Sequence, residues 1–354
     1  MHVDIALEPG HSAAELVELG RLAEEAGIAT LWITHDPQER DVFLLFGEVA
    51  RATRRLRLGV MAISPFELHP LRLSSALLTL GEISGGRVSV VVGAGGAILA
   101  HSRIDLSRRV RTVRECVDIL QDAGPERALD YDGEIFNVQS YRPAWAVQPR
   151  PRVLVGANRE QMLRMSARRA DGVLFSDMPL QRIDQAMRTV EQALAARGRP
   201  KTGFEINNYW AFHVKPDRAR ALAEARSRLV LRGMLSPFYI SPFLTEDEVR
   251  QVTGHMPSFY RAFARRSGVI EGVPETIISA LLDNLTLTAS VAELDTRLEV
   301  FERFARAGVT HISLGLHDDA ADAIRLTGAR IVPALAALCA LTGTRGSPCA
   351  MEWI

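Results

Sequence analysis

An imidazole and a carboxylate stand side by side at His35-Asp36, directly after the apolar run Thr30-Leu31-Trp32-Ile33-Thr34. An imidazole changes charge near neutral pH, so such a pair could hold and pass one proton beside a reacting ring. A histidine on a loop is also an ordinary solvated residue, and residue type alone leaves both readings open. Glu8, just after the run 3–7, and Tyr209, inside the run 204–214, add a carboxyl and a phenol to the candidate catalytic or substrate-contacting groups.

A second set of residues could hold a ligand rather than react with it. Val92-Gly93-Ala94-Gly95-Gly96-Ala97 carries almost no side chain, which lets a planar molecule approach the backbone, although glycine runs also make plain turns. Gly156-Ala157-Asn158-Arg159 leads straight into a helical pattern from Glu160. The first amides of a helix lack intrahelical acceptors, and beside an arginine they suit a phosphate; an ordinary start capped by Asn158 is the competing reading. Met61-Ala62-Ile63 ends another apolar run, and His69-Pro70 beyond it reads as a helix start.

These residues share one property: each follows, or closes, a short β-branched run. Eight such runs, at 3–7, 30–34, 56–63, 87–92, 152–155, 172–175, 204–214 and 311–314, alternate with amphipathic helices. In 12–26, for example, Leu16, Leu19, Leu22 and Ala23 form one stripe and Gly27 supplies a stop; 71–83 ends at Ser84-Gly85-Gly86. Alternation of this kind implies parallel strands with right-handed crossovers, and 354 residues accommodate a single-domain (β/α)8 TIM barrel spanning 1–354. The candidate residues then gather at its carboxyl-terminal face. An open doubly wound sheet is disfavoured, because the first strand is followed by Glu8-Pro9-Gly10-His11 and not by a G-x-G-x-x-G turn. Between 233 and 287 the period becomes irregular, with Pro237, Pro242, Pro257 and Pro274, so a largely helical insertion is expected between strands 7 and 8. It either shapes the substrate pocket or merely covers the barrel.

Composition removes several classes of function. Net charge is zero, the pI is about 7.1, and no basic stretch carries interleaved aromatics, so a small-molecule partner is expected and a nucleic acid is not. No apolar run is long enough to span a bilayer and residues 1–4 open no secretory signal, which gives a cytoplasmic expectation with no membrane partner. Three cysteines, 116, 339 and 349, with no C-x-x-C spacing argue against a disulfide framework or a zinc site, and no metal is expected.

Together these segments resemble the luciferase-like superfamily, and most closely its branch of F420-dependent methylenetetrahydromethanopterin reductases. The resemblance is carried by Trp32-Ile33-Thr34-His35-Asp36, Ser64-Pro65-Phe66 with His69-Pro70, Ile83-Ser84-Gly85-Gly86-Arg87, Val92-Gly93-Ala94-Gly95, Gly156-Ala157, Ala170-Asp171-Gly172-Val173-Leu174, the run 205–214, Met234-Leu235-Ser236-Pro237 and Ala307-Gly308-Val309-Thr310. It implies a bacterial-luciferase-type barrel with F420, or alternatively FMN, as cofactor. It also implies a cis peptide at Met61-Ala62 backing the ring, with His35, Met61, Ala62, Ile63, Gly93, Ala94 and Gly95 around the ring and Gly156, Ala157, Asn158 and Arg159 at the phosphate. Two departures stand out. The branch reads Asp-His where this chain reads His35-Asp36, and its strand-1 glutamate aligns with Ala6, with Glu8 two residues on.

The implied reaction is hydride transfer between the deazaflavin and a C=N or conjugated C=C bond of a small organic substrate, with His35 or Asp36 handling the proton and Glu8 and Tyr209 meeting the substrate. The same barrel serves FMN-dependent monooxygenases, and a barrel that binds flavin without turnover is the third reading. Members of the superfamily are commonly dimers or larger, so a homo-oligomer is expected.

Overall fold

The computed structural model describes residues 1–95 and 106–341, with side chains as far as 337. All eight apolar runs are strands: β1 (His2–Leu7), β2 (Thr30–Thr34), β3 (Arg57–Ile63), β4 (Val88–Val92), β7 (Arg152–Gly156), β8 (Gly172–Ser176), β9 (Glu205–Lys215) and β11 (His311–Leu316). They are parallel and ordered β9-β11-β1-β2-β3-β4-β7-β8, and β8 pairs back to β9. The sheet therefore closes into a (β/α)8 barrel, as the alternation predicts.

Side chains alternate across each strand, and the two faces do different work. In β1, Val3, Ile5 and Leu7 point outward into the apolar shell under the helices, while Asp4 and Ala6 belong to the interior. The upper interior is a plug of Ala6, Trp32, Met61, Val91, Leu154 and Leu174 with Tyr209 packed on it. Glycine makes room for the rings: a Cβ at Gly59 would lie 2.2 Å from the Trp32 indole, and one at Gly315 would lie 2.3 Å from the Tyr209 hydroxyl. Beneath the plug, buried Asp4 accepts hydrogen bonds from Trp32 Nε1 at 3.1 Å and Asn207 Nδ2 at 2.8 Å. Burial, helped by the nearby Glu205 charge, pushes the Asp4 carboxyl up to about 7 against those bonds.

The helices begin where local chemistry starts them. Ser12 and Glu15 form a capping box at Ala13–Glu25, and His69 caps Pro70–Ser84 with Nδ1 accepting the Leu71 amide at 3.2 Å. His69 is thus the helix-start residue that its position before Pro70 suggests. Gly85, at φ 67°, closes that helix in the left-handed conformation.

Two strand pairings go beyond the apolar runs. An antiparallel hairpin, β5 (Leu129–Asp132) and β6 (Asn137–Tyr141), precedes β7. Its turn is tied down by buried Glu115, which accepts the amides of Glu134, Ile135 and Phe136 at 3.1, 2.9 and 3.0 Å. A further strand, β10 (Thr286–Ser290), pairs with the far half of β9, matching Thr286 to Ala211 and Ser290 to Lys215. The connection from β9 to β11 is mainly helical, with Arg218–Ser227, Glu246–Gly254, Met256–Ala264 and Glu275–Leu285 around their own apolar cluster. That cluster starts at Ala225, ahead of the break in period at Gly233. Cys116 is a buried free thiol, whereas the side chains of Cys339 and Cys349 lie outside the described residues. No described helix is long and apolar enough to cross a membrane.

Candidate active site

The carboxyl ends of the strands surround a mouth whose two halves differ in chemistry. The half built by β2, β3, β4 and β7 is mostly backbone. The pairing of β3 with β4 shifts register between Val60 and Ile63, where the Met61-Ala62 peptide is cis, as the resemblance implies. The shift leaves Ala62 exposed between buried Met61 and Ile63. Hydrogen bonds hold this bulge on both sides, from His35 N–H to Met61 O at 2.8 Å and from Gly93 N–H to Ile63 O at 2.9 Å. Gly93 faces the Ala62 methyl so closely that a Cβ there would come within 3.1 Å of it. The result is a shelf shaped by Ala62, Gly93, Ala94 and Gly95, residues with small side chains or none; Gly96 and Ala97 lie outside the described residues.

At the end of β7 the Asn158 side chain does not cap the next helix, which corrects the competing reading. Its Oδ1 accepts the Ser176 amide at 2.9 Å while Nδ2 donates to Ser176 O at 2.6 Å and to the Tyr239 hydroxyl. Asn158 therefore ties β7 to β8 and to the β9–β11 connection. Arg159 occupies the cap position of Glu160–Arg169, and among the described residues no side chain caps the helix's first amides. Its guanidinium stands 5.3 Å from the Phe238 ring. Gly156, Ala157 and Arg159 thus surround an uncapped, ten-residue helix start.

His35 and Asp36, adjacent in sequence, face different partners. His35 Nε2 lies 3.7 Å from Glu67 Oε2, and Asp36 Oδ1 accepts the Gln38 amide at 2.9 Å in a local turn. Among the described residues no hydrogen bond joins the two side chains.

The other half of the mouth, from β8, β9, β11 and β1, is crowded with polar groups. Glu8 Oε1 accepts from His317 Nδ1 at 2.8 Å and pairs with Arg228 Nε at 3.4 Å. Arg228 also reaches Asp318 at 3.3 Å. The His317 ring stacks on that of His213, with centroids 4.9 Å apart and planes 12° from parallel. His213 Nδ1 bonds Glu224 at 2.8 Å, and Lys215 holds the other oxygen of the same carboxylate at 2.8 Å. Across from them Arg232 pairs with Asp177 at 2.8 Å, both fully enclosed, and lies 5.4 Å from the Tyr209 ring. Tyr209 itself sits on the interior plug directly below this network.

Burial opposes charge at Glu8, but His317 and Arg228 outweigh it and hold the carboxyl at about 2. Glu224 is likewise held at about 2, against burial, by His213 and Lys215. Burial pushes the His213 imidazole down to about 3 and lowers that of His317, against the pull of Glu224 and Glu8. Near neutral pH both carboxylates are ionised and both imidazoles neutral. An ionised carboxylate only accepts, so each imidazole carries its proton on Nδ1 and presents a bare lone pair at Nε2. Both Nε2 atoms are buried and have no partner among the described residues.

Of this network only Glu8 and Tyr209 stand out in the sequence as site residues. Asp177, His213, Glu224, Arg228, Arg232 and His317 do not, although β9 carries a usable sign. Its interior-facing positions read Glu205, Asn207, Tyr209, Ala211, His213 and Lys215, a polar series in a strand with a fully buried neighbour face. A cavity of about 470 Å3 lies on the outer wall among Arg109–Asp122, Glu160–Arg169 and Leu180–Ala195, away from the strand ends.

Residues 1–311 match the family model described as luciferase-like monooxygenase. The chain belongs to the luciferase-like monooxygenase family. It is accordingly an enzyme of the oxidoreductase kind. Among curated relatives, the luciferase-like chain is 28% identical over 341 residues to a 5,10-methylenetetrahydromethanopterin reductase of Archaeoglobus fulgidus, covering 95% of this chain and 100% of that protein. Among solved structures it is similar to the coenzyme F420 dependent tetrahydromethanopterin reductase of Methanopyrus kandleri, with a TM-score of 0.78 and 21% identity over 94% of this chain and 99% of that one. An F420-dependent secondary alcohol dehydrogenase, solved with an F420-acetone adduct, gives 0.71 and 16%, covering 95% and 99%. At these identities the solved structures speak for the fold.

Proposed function

We propose that this luciferase-like protein is an F420-dependent oxidoreductase that transfers a hydride between the deazaflavin and a C=N or conjugated C=C bond of a small organic substrate. The observation that carries the reading is the division of the mouth into a flat backbone shelf and a facing network able to hold a proton. The shelf fits a planar ring: Ala62 and Gly93 leave one face of it open, and a Cβ at Gly93 would fill the space. When bound there, a deazaflavin supplies two-electron hydride chemistry that no side chain can.

The rest is work for the chain's own residues. The backbone of Met61, Ala62 and Ile63, with Gly93, Ala94 and Gly95, backs the ring, and His35 borders it. The uncapped amides after Arg159, with Gly156, Ala157 and Asn158 beside them, take the phosphate. Glu8 and Tyr209 meet the substrate from the opposite half, and Arg232 with Asp177 fixes the β9–β11 connection over it.

The Methanopyrus reductase and the secondary alcohol dehydrogenase, both described as F420-dependent, support F420 over FMN. So does the polarity of the second half: oxygen activation on a flavin requires a water-poor pocket, and ionised Glu8 with bare imidazole nitrogens would retain water. Anaerobic absorbance titrations with F420 and with FMN test the reading. Saturable F420 binding, followed by reoxidation of the reduced form by imine or enone acceptors, is the expected result. Binding of FMN alone would overturn the cofactor assignment, and binding of neither would overturn the function.

A further inference from the structure

We propose that His317, oriented by Glu8, is the group that exchanges a proton with the substrate, and that the substrate presents to it an O–H or N–H bond. This rests on the hydride-transfer reading above, keeps its amine–imine pair, sets aside its conjugated C=C bonds and adds the interconversion of alcohol with ketone.

The argument begins with the two bare nitrogens. His317 and His213 are enclosed, stacked and each held at Nδ1 by a carboxylate at 2.8 Å, which leaves both Nε2 atoms as acceptors without a donor among the described residues. A buried acceptor without a partner is unfavourable, so it persists where a bound molecule supplies the missing donor. Lone pairs of this kind are complementary to hydrogen-bond donors. An alcohol or amine offers one; a carbon–carbon double bond does not.

His317 is the better placed of the two to react. It follows β11 directly, beside Glu8 at the end of the paired strand β1, so both stand at the carboxyl-terminal end of the barrel. Burial opposes its protonation, as do Arg232 and Arg228 from the β9–β11 connection, while Glu8, just after β1, favours it, with His213 stacked on it and Glu224 behind. The imidazole is therefore neutral at rest, with an ionised carboxylate ready to stabilise the cation it becomes.

In the oxidising direction the substrate C–H bond breaks and its hydride passes to the oxidised deazaflavin. The O–H or N–H bond breaks and its proton passes to His317 Nε2. The electron pair left on the heteroatom forms the second bond to carbon. His317 ends as imidazolium against ionised Glu8, and the reductive direction returns the same proton to the heteroatom. Glu8 is a positioning residue in this scheme, and His213 fixes the plane of the reacting ring.

The test combines a spectroscopic and a kinetic readout on the full chain. In 15N-resolved NMR of the cofactor-free protein at neutral pH, His317 is expected as the neutral tautomer protonated on Nδ1, and E8Q should lose that preference. Turnover is followed with reduced F420 and two acceptor panels, ketones with imines and conjugated enones. H317Q should lose about 10²–10⁴-fold in kcat with F420 affinity unchanged, as expected for removal of a general acid–base group, and H213Q should lose less. A His317 protonated on Nε2, an H317Q kcat within about threefold of wild type, or a wild type that reduces enones and no C=O or C=N compound would each overturn the proposal. If H317Q fails to fold, the wild-type and E8Q spectra with the wild-type acceptor preference decide it. Failure of the underlying function shows separately, as absence of F420 binding by the wild type.

Discussion

Replacing Arg232 by methionine tests whether the polar half of the mouth is held together electrostatically. Arg232 and Asp177 are 2.8 Å apart with side chains 3% and 2% exposed, so water can screen neither. Without the guanidinium, Asp177 retains the Gly233 amide at 3.3 Å and the Ser176 hydroxyl at 3.2 Å, too little for a carboxylate in that environment. Breaking one side of a buried pair costs about 3–5 kcal/mol. At the usual unfolding entropy per residue, a 354-residue chain that unfolds cooperatively would lose about 4 to 7 °C in Tm. Removing both charges, in D177N/R232M, should recover most of that loss, because no uncompensated charge remains.

The pH dependence has a definite sign. Burial already raises the Asp177 carboxyl against the pull of Arg232, and removing Arg232 raises it further. A raised carboxyl contributes stability that is complete below its unfolded value and is lost as pH rises through the folded one. The R232M deficit should therefore grow from acidic to neutral pH. Calorimetric melts of wild type, R232M, D177N and the double variant across that range provide the measurement. A deficit below about 1 kcal/mol, or a double variant that simply adds the two single losses, would refute the reasoning.

Gly93→Val should abolish F420 binding in a fluorescence titration while changing stability by only about 1 kcal/mol, since its side chain would stand over the shelf against Ala62, where a Cβ alone comes within 3.1 Å. Arg159→Ala should weaken F420 binding about tenfold in the same assay, as loss of one cation at an uncapped helix start implies. Asp4, raised to about 7, contributes stability complete below the unfolded carboxyl value of about 3.9, eroding above it and gone once pH passes 7. Asp4→Asn keeps an oxygen to accept from Trp32, so urea melts of this variant should show a flatter stability profile between those pH values.

The barrel is legible in the sequence because its strands bury both faces and so stand out as β-branched runs between amphipathic helices. What escapes that pattern is short and half-exposed. Leu-Asp-Tyr-Asp at 129–132 and Asn-Val-Gln-Ser-Tyr at 137–141 carry too few apolar residues to read as strands, and β10 follows the helix Glu275–Leu285 with no turn residue between them. The shelf is legible as well, because Met61 to Ile63 and Gly93 to Gly95 shape it with their own backbone and need no distant partner. The proton-holding half is not. Glu8 and His317 meet only when the barrel closes, and Arg228 and Arg232 arrive from the connection that follows β9, where nothing in their own segment marks them as facing the mouth. Adjacency in sequence fails in the opposite sense at His35-Asp36: consecutive residues at a strand end point to different sides, so one side chain approaches Glu67 and the other folds into a turn.

The most direct test of a mouth divided between shelf and proton network is the crystal structure of the complex with F420. The ring should lie against Ala62 and Gly93, with its open face toward Glu8 and His317 and its phosphate at the amides after Arg159. A ring seated against the Glu8–His317 side, or a phosphate held away from residues 156–159, would contradict the account.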